Sequence, residues 1–189
     1  MRGLEGWGAG GPPCYAKAVR ATGAIACHLA DPALAHHLPH LRAALDACRR
    51  GIEQGQAPFG SALAVDGELV ETAFNTGSRD SDPSAHAEIN VLRAAGRRYD
   101  TRSLGDVGDV VLYSSCEPCP MCFSAIVFSG IRRVVWAASV DDAKAAGMAR
   151  LQISNDAMMR LTGETLDMVG GVLREEAVAL FELWQKRSA

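Results

Sequence analysis

Three cysteines recur at intervals of three residues in the stretch SSCEPCPMCFSA, which spans residues 114–125. They are Cys116, Cys119 and Cys122. With one histidine they would form a closed four-ligand zinc site, the kind that stabilises a fold. If one cysteine lies outside the site, three protein ligands remain and the fourth position is open to water, as in catalytic zinc sites. The spacing alone leaves both possibilities open.

A second short motif lies upstream, the stretch HAE at residues 86–88. Together with PCPMC at residues 118–122 it matches the H-x-E … P-C-x-x-C pattern of zinc deaminases. In this pattern His86 and two helix-borne thiolates bind the metal, and zinc polarises water in the fourth position toward hydroxide. Glu88 then stands beside that water as the proton shuttle and is not a ligand.

Bulk composition limits the class of protein. The chain has 189 residues, which suits one domain with a complete core, and its formal charge of −3 does not favour a nucleic-acid-binding surface. No stretch has the apolar length of a membrane span, and no signal peptide is convincing. Clustered cysteines in such a chain indicate a reducing, cytoplasmic setting, where they more often serve metal binding or catalysis than disulfide formation.

Two segments differ in character. Residues 1–37 begin with a Gly- and Pro-rich leader and are expected to form a flexible N-terminal extension. Residues 38–189 are expected to form the zinc-dependent deaminase domain. A second metal site at His36 and His37 is not favoured, because no acidic or thiol partner stands in a regular frame nearby.

From residue 38 onward the hydrophobic periodicity predicts an alternation of helices and strands. The predicted elements are a helix (38–54), a hairpin turning at Asp66-Gly67 (59–75), a polar loop (76–84), a helix stopping at Gly96 (85–96), a strand (109–115), a helix (119–130), a strand (132–139), a short helix (141–146), a strand (165–171) and a closing helix (173–187). Cys48, on the apolar stripe of the first helix, is expected in the core. Strands that alternate with helices favour a sheet with parallel pairs and helices on both faces.

At these motifs the chain resembles the cytidine and deoxycytidylate deaminase superfamily, and most of all its guanine deaminase and tRNA adenosine deaminase members. The matching stretches are APFGSALAVDGELV (57–70), DPSAHAEINVLR (82–93), LYSSCEPCPMCFSAIVFSGIRRVVWAAS (112–139) and DDAKAAG (141–147). The resemblance implies an α/β, three-layer α-β-α fold with a five-stranded mixed sheet. It also implies one catalytic Zn²⁺ per subunit and a homodimer.

The resemblance assigns roles to individual residues. His86, Cys119 and Cys122 match the metal ligands, and Glu88 matches the proton shuttle. The residues that it implies as substrate contacts are Asn75, Asp142, Phe59, Ala87, Ser115 and Cys116.

Three of these contacts have alternatives. Asn75 matches an amide that binds the base, but a turn cap is the other possibility. Phe59 fits a pocket wall or the core. Asp142 matches an acidic residue that reads the amino face of a purine, and its alternative is to cap the short helix that starts there.

The expected reaction is hydrolytic deamination of a free nucleobase, with guanine, giving xanthine and ammonia, favoured. Two departures from guanine deaminases weaken that choice: Ala143-Lys144-Ala145 lacks a glutamate, and Met148 stands where an aromatic residue is usual. Cytosine and aminotriazines are the alternative substrates. In the closing helix, Glu182 or Trp184 is a candidate lid, although Trp184 also lies on the apolar stripe of that helix.

Two further alternatives remain. A tRNA adenosine deaminase is less favoured, because the closing helix mixes acidic with basic residues and would hold a stem-loop poorly. A non-enzymatic zinc module would have four protein ligands and no open position.

Overall fold

The structure is a computed structural model and describes residues 34–148 and 151–188. The helices are α1 (Leu38–Glu53), α2 (Gly77–Asp80), α3 (Ala87–Tyr99), α4 (Pro120–Phe128), α5 (Val140–Ala145), α6 (Asn155–Thr162) and α7 (Arg174–Ser188). The strands are β1 (Gly60–Val65), β2 (Glu68–Phe74), β3 (Val110–Cys116), β4 (Arg133–Ala138) and β5 (Asp167–Val169). Short 3₁₀ turns lie at Ala35–His37 and Leu104–Asp106.

The five strands form one mixed sheet in the order β2-β1-β3-β4-β5. β1 is antiparallel to both β2 and β3, whereas β3, β4 and β5 run parallel. The β1–β2 hairpin turns at Asp66 and Gly67, both of which have positive φ, as the Asp-Gly sequence predicts. Parallel β3 and β4 end at the same edge of the sheet, so the loops that leave them converge.

Each face of the sheet is covered by helices, because alternate side chains of a strand point to opposite faces. Tyr113 and Val135 point to the face covered by α1, α5 and α7. Leu112 and Val134 point to the face covered by α3, α4 and α6. The predicted α/β fold, with three layers and a five-stranded mixed sheet, is therefore confirmed.

Three local predictions differ from the structure. The helix expected to stop at Gly96 continues to Tyr99, and Asp100 ends it with a left-handed conformation at φ 49°. One turn of helix, α2, lies within the segment predicted as a polar loop. Helix α6 was not predicted, because it is short, with only eight residues.

The core includes residues on both sides of the predicted domain boundary. Cys48 is fully buried in α1, as predicted. Leu34 is 4% exposed and packs in the same core, and His37 Nδ1 lies 2.9 Å from the hydroxyl of Tyr113. The rest of the predicted extension, residues 1–33, lies outside the described residues. Within the described ranges, no helix is long and apolar enough to span a bilayer.

Candidate metal centre and active site

The N-termini of α3 and α4 meet at the edge of the sheet where β3 ends. His86 is the N-cap of α3 and Cys119 is the N-cap of α4, while Cys122 lies in the first turn of α4. Pro120 occupies the first helical position, where its missing N–H costs nothing. The partial positive charge of a helix N-terminus stabilises thiolates, so both cysteines lie where thiolate ligands are favoured.

The three donor atoms form a compact triangle. His86 Nδ1 lies 3.6 Å from Cys119 Sγ and 3.5 Å from Cys122 Sγ, and the two sulfurs are 3.7 Å apart. A tetrahedral zinc with usual bond lengths separates two sulfurs by roughly 3.7 Å and a sulfur from a nitrogen by roughly 3.5 Å. The triangle therefore fits three corners of a zinc tetrahedron. Among the residues that the structure describes, this is the one group of three with metal-ligating atoms so close together.

Cys116, the first cysteine of the sequence cluster, stands apart from this triangle. It ends β3, and its thiol donates to the carbonyl of Ser139 at 3.7 Å. Burial, first of all, raises its pKa well above the usual value. The structure therefore supports the open, three-ligand interpretation of the spacing over the closed one.

The three donor groups of the triangle differ in the direction of their pKa shifts. The pKa of Cys119 is lowered to about 4, first by the hydrogen bond from the Cys122 thiol and then by His86. The pKa of Cys122 is raised because its thiol donates that hydrogen bond and is buried. The pKa of His86 is raised by its hydrogen bond with Cys119. Cys119 is therefore the donor whose thiolate its neighbours stabilise most.

Glu88 is a buried carboxylate beside the triangle. Only 6% of the residue is exposed, and the hydroxyl of Ser114 donates to its Oε1 at 3.5 Å. Burial and the neighbouring charge of Cys119 raise its pKa, so the group takes up a proton more readily than an exposed glutamate. A divalent cation at the triangle would act in the opposite direction. These opposing effects on the pKa of Glu88 suit a group that both takes up and releases a proton during a reaction.

His86, Cys119 and Glu88 line a cavity of about 450 Å³, and Cys122 lies buried behind it. Its other lining residues are mostly apolar: Phe59, Met121, Val140, Ala143, Met148 and Leu151. None of the described lining residues is a lysine or an arginine. The cavity therefore suits a flat, uncharged molecule that presents a few polar atoms.

Three of the predicted substrate contacts line this cavity: Asn75, Phe59 and Cys116. Asn75 Oδ1 accepts the N–H of Gly77 at 3.0 Å, so this side chain is also a turn cap. The same bond fixes the amide and leaves Nδ2 as the donor available to a ligand. Phe59 belongs both to the cavity wall and to the core, because its ring makes an edge contact with Phe181.

The other three predicted contacts lie elsewhere. Ala87 is fully buried, and the hydroxyl of Ser115 accepts the N–H of Gly60 at 2.9 Å. Asp142 forms a reciprocal capping box with Ser139 at the start of α5 and an ion pair with Arg174. None of these three is among the described cavity residues. The structure gives Asp142 the capping role that was the alternative, since both of its oxygens already accept hydrogen bonds.

Sequence reasoning missed several residues around the site. Met121 and Leu151 line the cavity, and so does Glu117, whose carboxylate accepts N–H groups of Val140 and Asn155. Asn155 begins α6, and the serine before it is the N-cap, a signal that predicts a helix start. At the C-terminus, Trp184 packs against the core, and neither it nor Glu182 is a described lining residue.

A buried glutamate beside a His/Cys/Cys group, at the convergent ends of a helix-covered mixed sheet, defines the class of zinc-dependent hydrolytic deaminases. Comparison with known proteins agrees. Residues 35–138, more than half of the chain, match the cytidine and deoxycytidylate deaminase zinc-binding region. The chain belongs to this family, so the resemblance seen in the sequence is confirmed. It is an enzyme, and zinc is its cofactor.

Individual relatives do not single out one substrate within this family. The chain is 35% identical to a guanine deaminase of Bacillus subtilis over 59% of its own length and 70% of the relative. It is 37% identical to a tRNA-specific adenosine deaminase of Aquifex aeolicus over 52% of its length, and the match spans only 63% of that relative. The structure of a guanine deaminase from Nitrosomonas europaea superimposes with a TM-score of 0.69 at 26% identity, covering 98% of this chain and 100% of that one.

Proposed function

We propose that this enzyme deaminates a free nucleobase, with guanine as the favoured substrate and xanthine and ammonia as the products. His86, Cys119 and Cys122 bind the zinc, and Glu88 moves the protons. The observation that carries the proposal is the donor triangle at tetrahedral spacing beside a buried glutamate, in a cavity where no described lining residue is cationic.

When bound, zinc supplies a Lewis acid that makes water a nucleophile at neutral pH. Glu88 takes one proton of the water and gives it to a ring nitrogen, and it then takes the second, from the hydroxyl added to the ring, and gives it to the departing amino group. Its burial limits exchange of that proton with solvent and makes the carboxylate a stronger base, in line with its raised pKa. The reaction consumes one water and releases one ammonia.

The cavity supports a base without a phosphate. Phosphate groups are usually held by arginine, lysine or a helix N-terminus. No described lining residue is cationic, and the two nearby helix N-termini carry His86 and Cys119, which belong to the metal triangle. Arg150 lies outside the described residues. Apolar side chains such as Phe59 and Met148 instead suit the faces of a planar ring.

Asn75 supports recognition of an acceptor on the base. Its Oδ1 is occupied by Gly77, so Nδ2 is the group that would meet the substrate. Guanine presents O6 and N7 as acceptors, which fits a single fixed donor. Asp142 gives no support to guanine, because its carboxylate is occupied by Ser139 and Arg174. The preference for guanine therefore rests on the guanine deaminase relatives.

Two classes of alternative substrate, a small non-purine ring and a tRNA adenosine, are kept because of specific observations. Cytosine and aminotriazines are smaller rings with an exocyclic amine and fit the same cavity. A tRNA adenosine is supported by the Aquifex aeolicus relative, whose name gives that substrate.

The predicted homodimer has one supporting observation: Phe128, on the apolar helix α4, is 86% exposed. Light scattering of the wild type and of Phe128→Lys would test it, with a monomeric variant expected. The cytoplasmic setting stays a prediction.

One experiment separates these substrates. Zinc-loaded protein is incubated with guanine, cytosine, adenine, their nucleosides, aminotriazines and a tRNA anticodon stem-loop, and ammonia release is measured. We expect guanine to be turned over fastest, and ammonia release by zinc-loaded Glu88→Gln to be at least about 100-fold slower. Turnover of a pyrimidine or triazine alone would refute the guanine assignment and keep the deaminase class.

The non-enzymatic alternative has its own test. Zinc-edge absorption of the wild type should show two sulfur neighbours and two light-atom neighbours, one of which exchanges with added ligands. Four non-exchanging protein donors would instead indicate a closed structural site.

A further inference from the structure

Asn155 is a fully buried polar residue at the first position of α6. Its backbone N–H donates to Glu117 Oε1 at 2.7 Å. Its side-chain Nδ2 donates to the same oxygen at 3.1 Å and to the carbonyl oxygen of Pro118 at 3.0 Å. One side chain thus contacts two consecutive residues of the loop between β3 and α4.

Glu117 connects this contact to a second loop. Its Oε2 accepts the N–H of Val140 at 3.0 Å, and its own N–H donates to the carbonyl of Ala138 at 2.7 Å. The carboxylate therefore holds together the loop after β3, the start of α5 and the start of α6. Three N–H groups satisfy it without any cationic side chain.

The amide of Asn155 leaves one atom unsatisfied. Its Oδ1 is buried and has no hydrogen-bond partner. Flipping the amide would place Oδ1 against Glu117 Oε1 and the Pro118 carbonyl, which are both acceptors, so the observed orientation is fixed by them. A buried acceptor without a partner lowers stability. Stability alone therefore does not account for an asparagine at this position.

We propose that Asn155 is a positioning residue that holds Cys119 in place to bind the metal. The Pro118 carbonyl belongs to the peptide bond that joins Pro118 to Cys119, so the Nδ2 contact restrains the backbone that carries the thiolate. The Glu117 contact restrains the preceding residue of the same loop. Groups that orient ligands in this way affect both metal affinity and activity. The inference rests on Cys119 being a zinc ligand, as proposed above.

The first test removes the side-chain contacts with Asn155→Ala and keeps the backbone bond to Glu117. Release of zinc to an excess of chelator is followed in the folded protein. We expect release to become about 10-fold faster and kcat for ammonia production to fall about 10- to 100-fold, with KM within threefold.

Ser154→Ala is the matched control. Ser154 caps α6 by accepting the N–H of Ala157 at 3.3 Å, and it is not a partner of either Glu117 or Pro118. This variant should weaken the helix end but leave zinc release within twofold of the wild type. Equal acceleration by Ser154→Ala and Asn155→Ala would overturn the proposal, because the effect would then come from α6 as a whole.

A second pair of variants keeps the side-chain volume in case Asn155→Ala does not fold. Asn155→Asp puts two carboxylates against each other and should accelerate zinc release. Adding Glu117→Gln removes the repulsion between the two carboxylates but gives no donor back to the Pro118 carbonyl, so it should slow release only part of the way toward the wild type. Zinc release within twofold of the wild type in Asn155→Asp would overturn the proposal. Since release is measured without substrate, a failure of guanine turnover is distinguishable from a failure of this inference.

Discussion

The loop after β3 and the loop after β4 begin at the same edge of the sheet, and each places a carboxylate within four residues of its strand. Glu117 follows β3, lines the cavity and is held by the N–H groups of Val140 and Asn155. Asp142 follows β4, is turned toward Ser139 and Arg174, and is not a described lining residue.

The difference shows that a carboxylate close to the strand ends need not line the cavity. What decides is which donors the surrounding chain offers. Arg174, at the start of α7, and Ser139, at the N-cap of α5, already occupy both oxygens of Asp142. The loop after β3 leads directly to the proposed ligand Cys119, whereas Asp142 joins α5 to α7 through Arg174.

Breaking the loop after β3 should have the largest effect. Cys122→Ala removes one of the three proposed ligands, so we expect loss of bound zinc and a fall in turnover of at least about 1,000-fold, since water is then no longer acidified. Elemental analysis and ammonia release measure the two effects. Cys48→Ala is the control, since Cys48 is equally buried but lies in α1 and does not belong to the triangle. Stoichiometric zinc in Cys122→Ala would contradict the ligand assignment.

Glu88→Gln should come next in size. The amide keeps the shape of the side chain but cannot carry a proton between water and the leaving group, so kcat should fall by about 10²- to 10⁴-fold. Zinc content should stay at the wild-type level, and this separates the shuttle from the ligands. Near-normal turnover in the zinc-loaded variant would remove Glu88 from the proposed mechanism.

On the other side of the comparison, Asp142→Asn should affect stability more than catalysis. Loss of the charged hydrogen bonds to Ser139 and Arg174 should lower the free energy of unfolding by about 1 kcal/mol, a modest figure because Arg174 is partly exposed. We expect kcat/KM for guanine to stay within threefold. A fall of more than 30-fold with zinc retained would show that Asp142 contacts the base after all.

The same ion pair has a signature in acid. Burial would raise the pKa of Asp142, but hydrogen bonds from Arg174 and Ser139 outweigh it and lower that pKa below the usual 3.8. A lowered carboxyl pKa stabilises the fold above the unfolded value and loses that contribution as pH falls through the folded one. Chemical denaturation below about pH 4 should therefore bring Asp142→Asn closer to the wild type.

The smallest effect is expected far from both loops, at His37. Burial first, and then His36, lowers its pKa to about 4 from 6.5, so the neutral ring is favoured in the folded state. The sign is that stability contributed by neutral His37 is complete above pH 6.5 and is lost as pH falls toward 4. The difference in Tm between pH 7 and pH 5 should be smaller in His37→Gln than in the wild type. An unchanged difference would show that His37 does not titrate in this range.

Much of the metal site was predictable because its parts are local in sequence. Cys119 and Cys122 are three residues apart, and His86 precedes Glu88 by two, each pair at a helix start. The alternation of helices and strands likewise predicted the layers. The distance between the two motifs had to be closed by the sheet, and the family pattern supplied that step.

The remaining features depend on contacts that no short stretch encodes. Asn155 meets Glu117 across 38 residues, and Arg174 meets Asp142 across 32. Periodicity does not report a pairing between two such segments. Asp142 is a substrate contact only as the family resemblance implies, with helix capping as its alternative, and no short motif singles out Asn155. The N-cap Ser154 and the C-cap Gly163 are the local signals for α6, and they predict only where that helix begins and ends.

Glu117 accepts hydrogen bonds from the N–H groups of both Val140 and Asn155, so a single carboxylate holds together the two ends of the segment between them. Because its two ends are held together, a change inside this segment should disturb the rest of the structure less, much as if a crosslink joined the two ends. Ala143, Met148 and Leu151, all within it, line the cavity. Exchanging residues 143–148 of this segment should therefore alter which bases are accepted while the zinc remains bound.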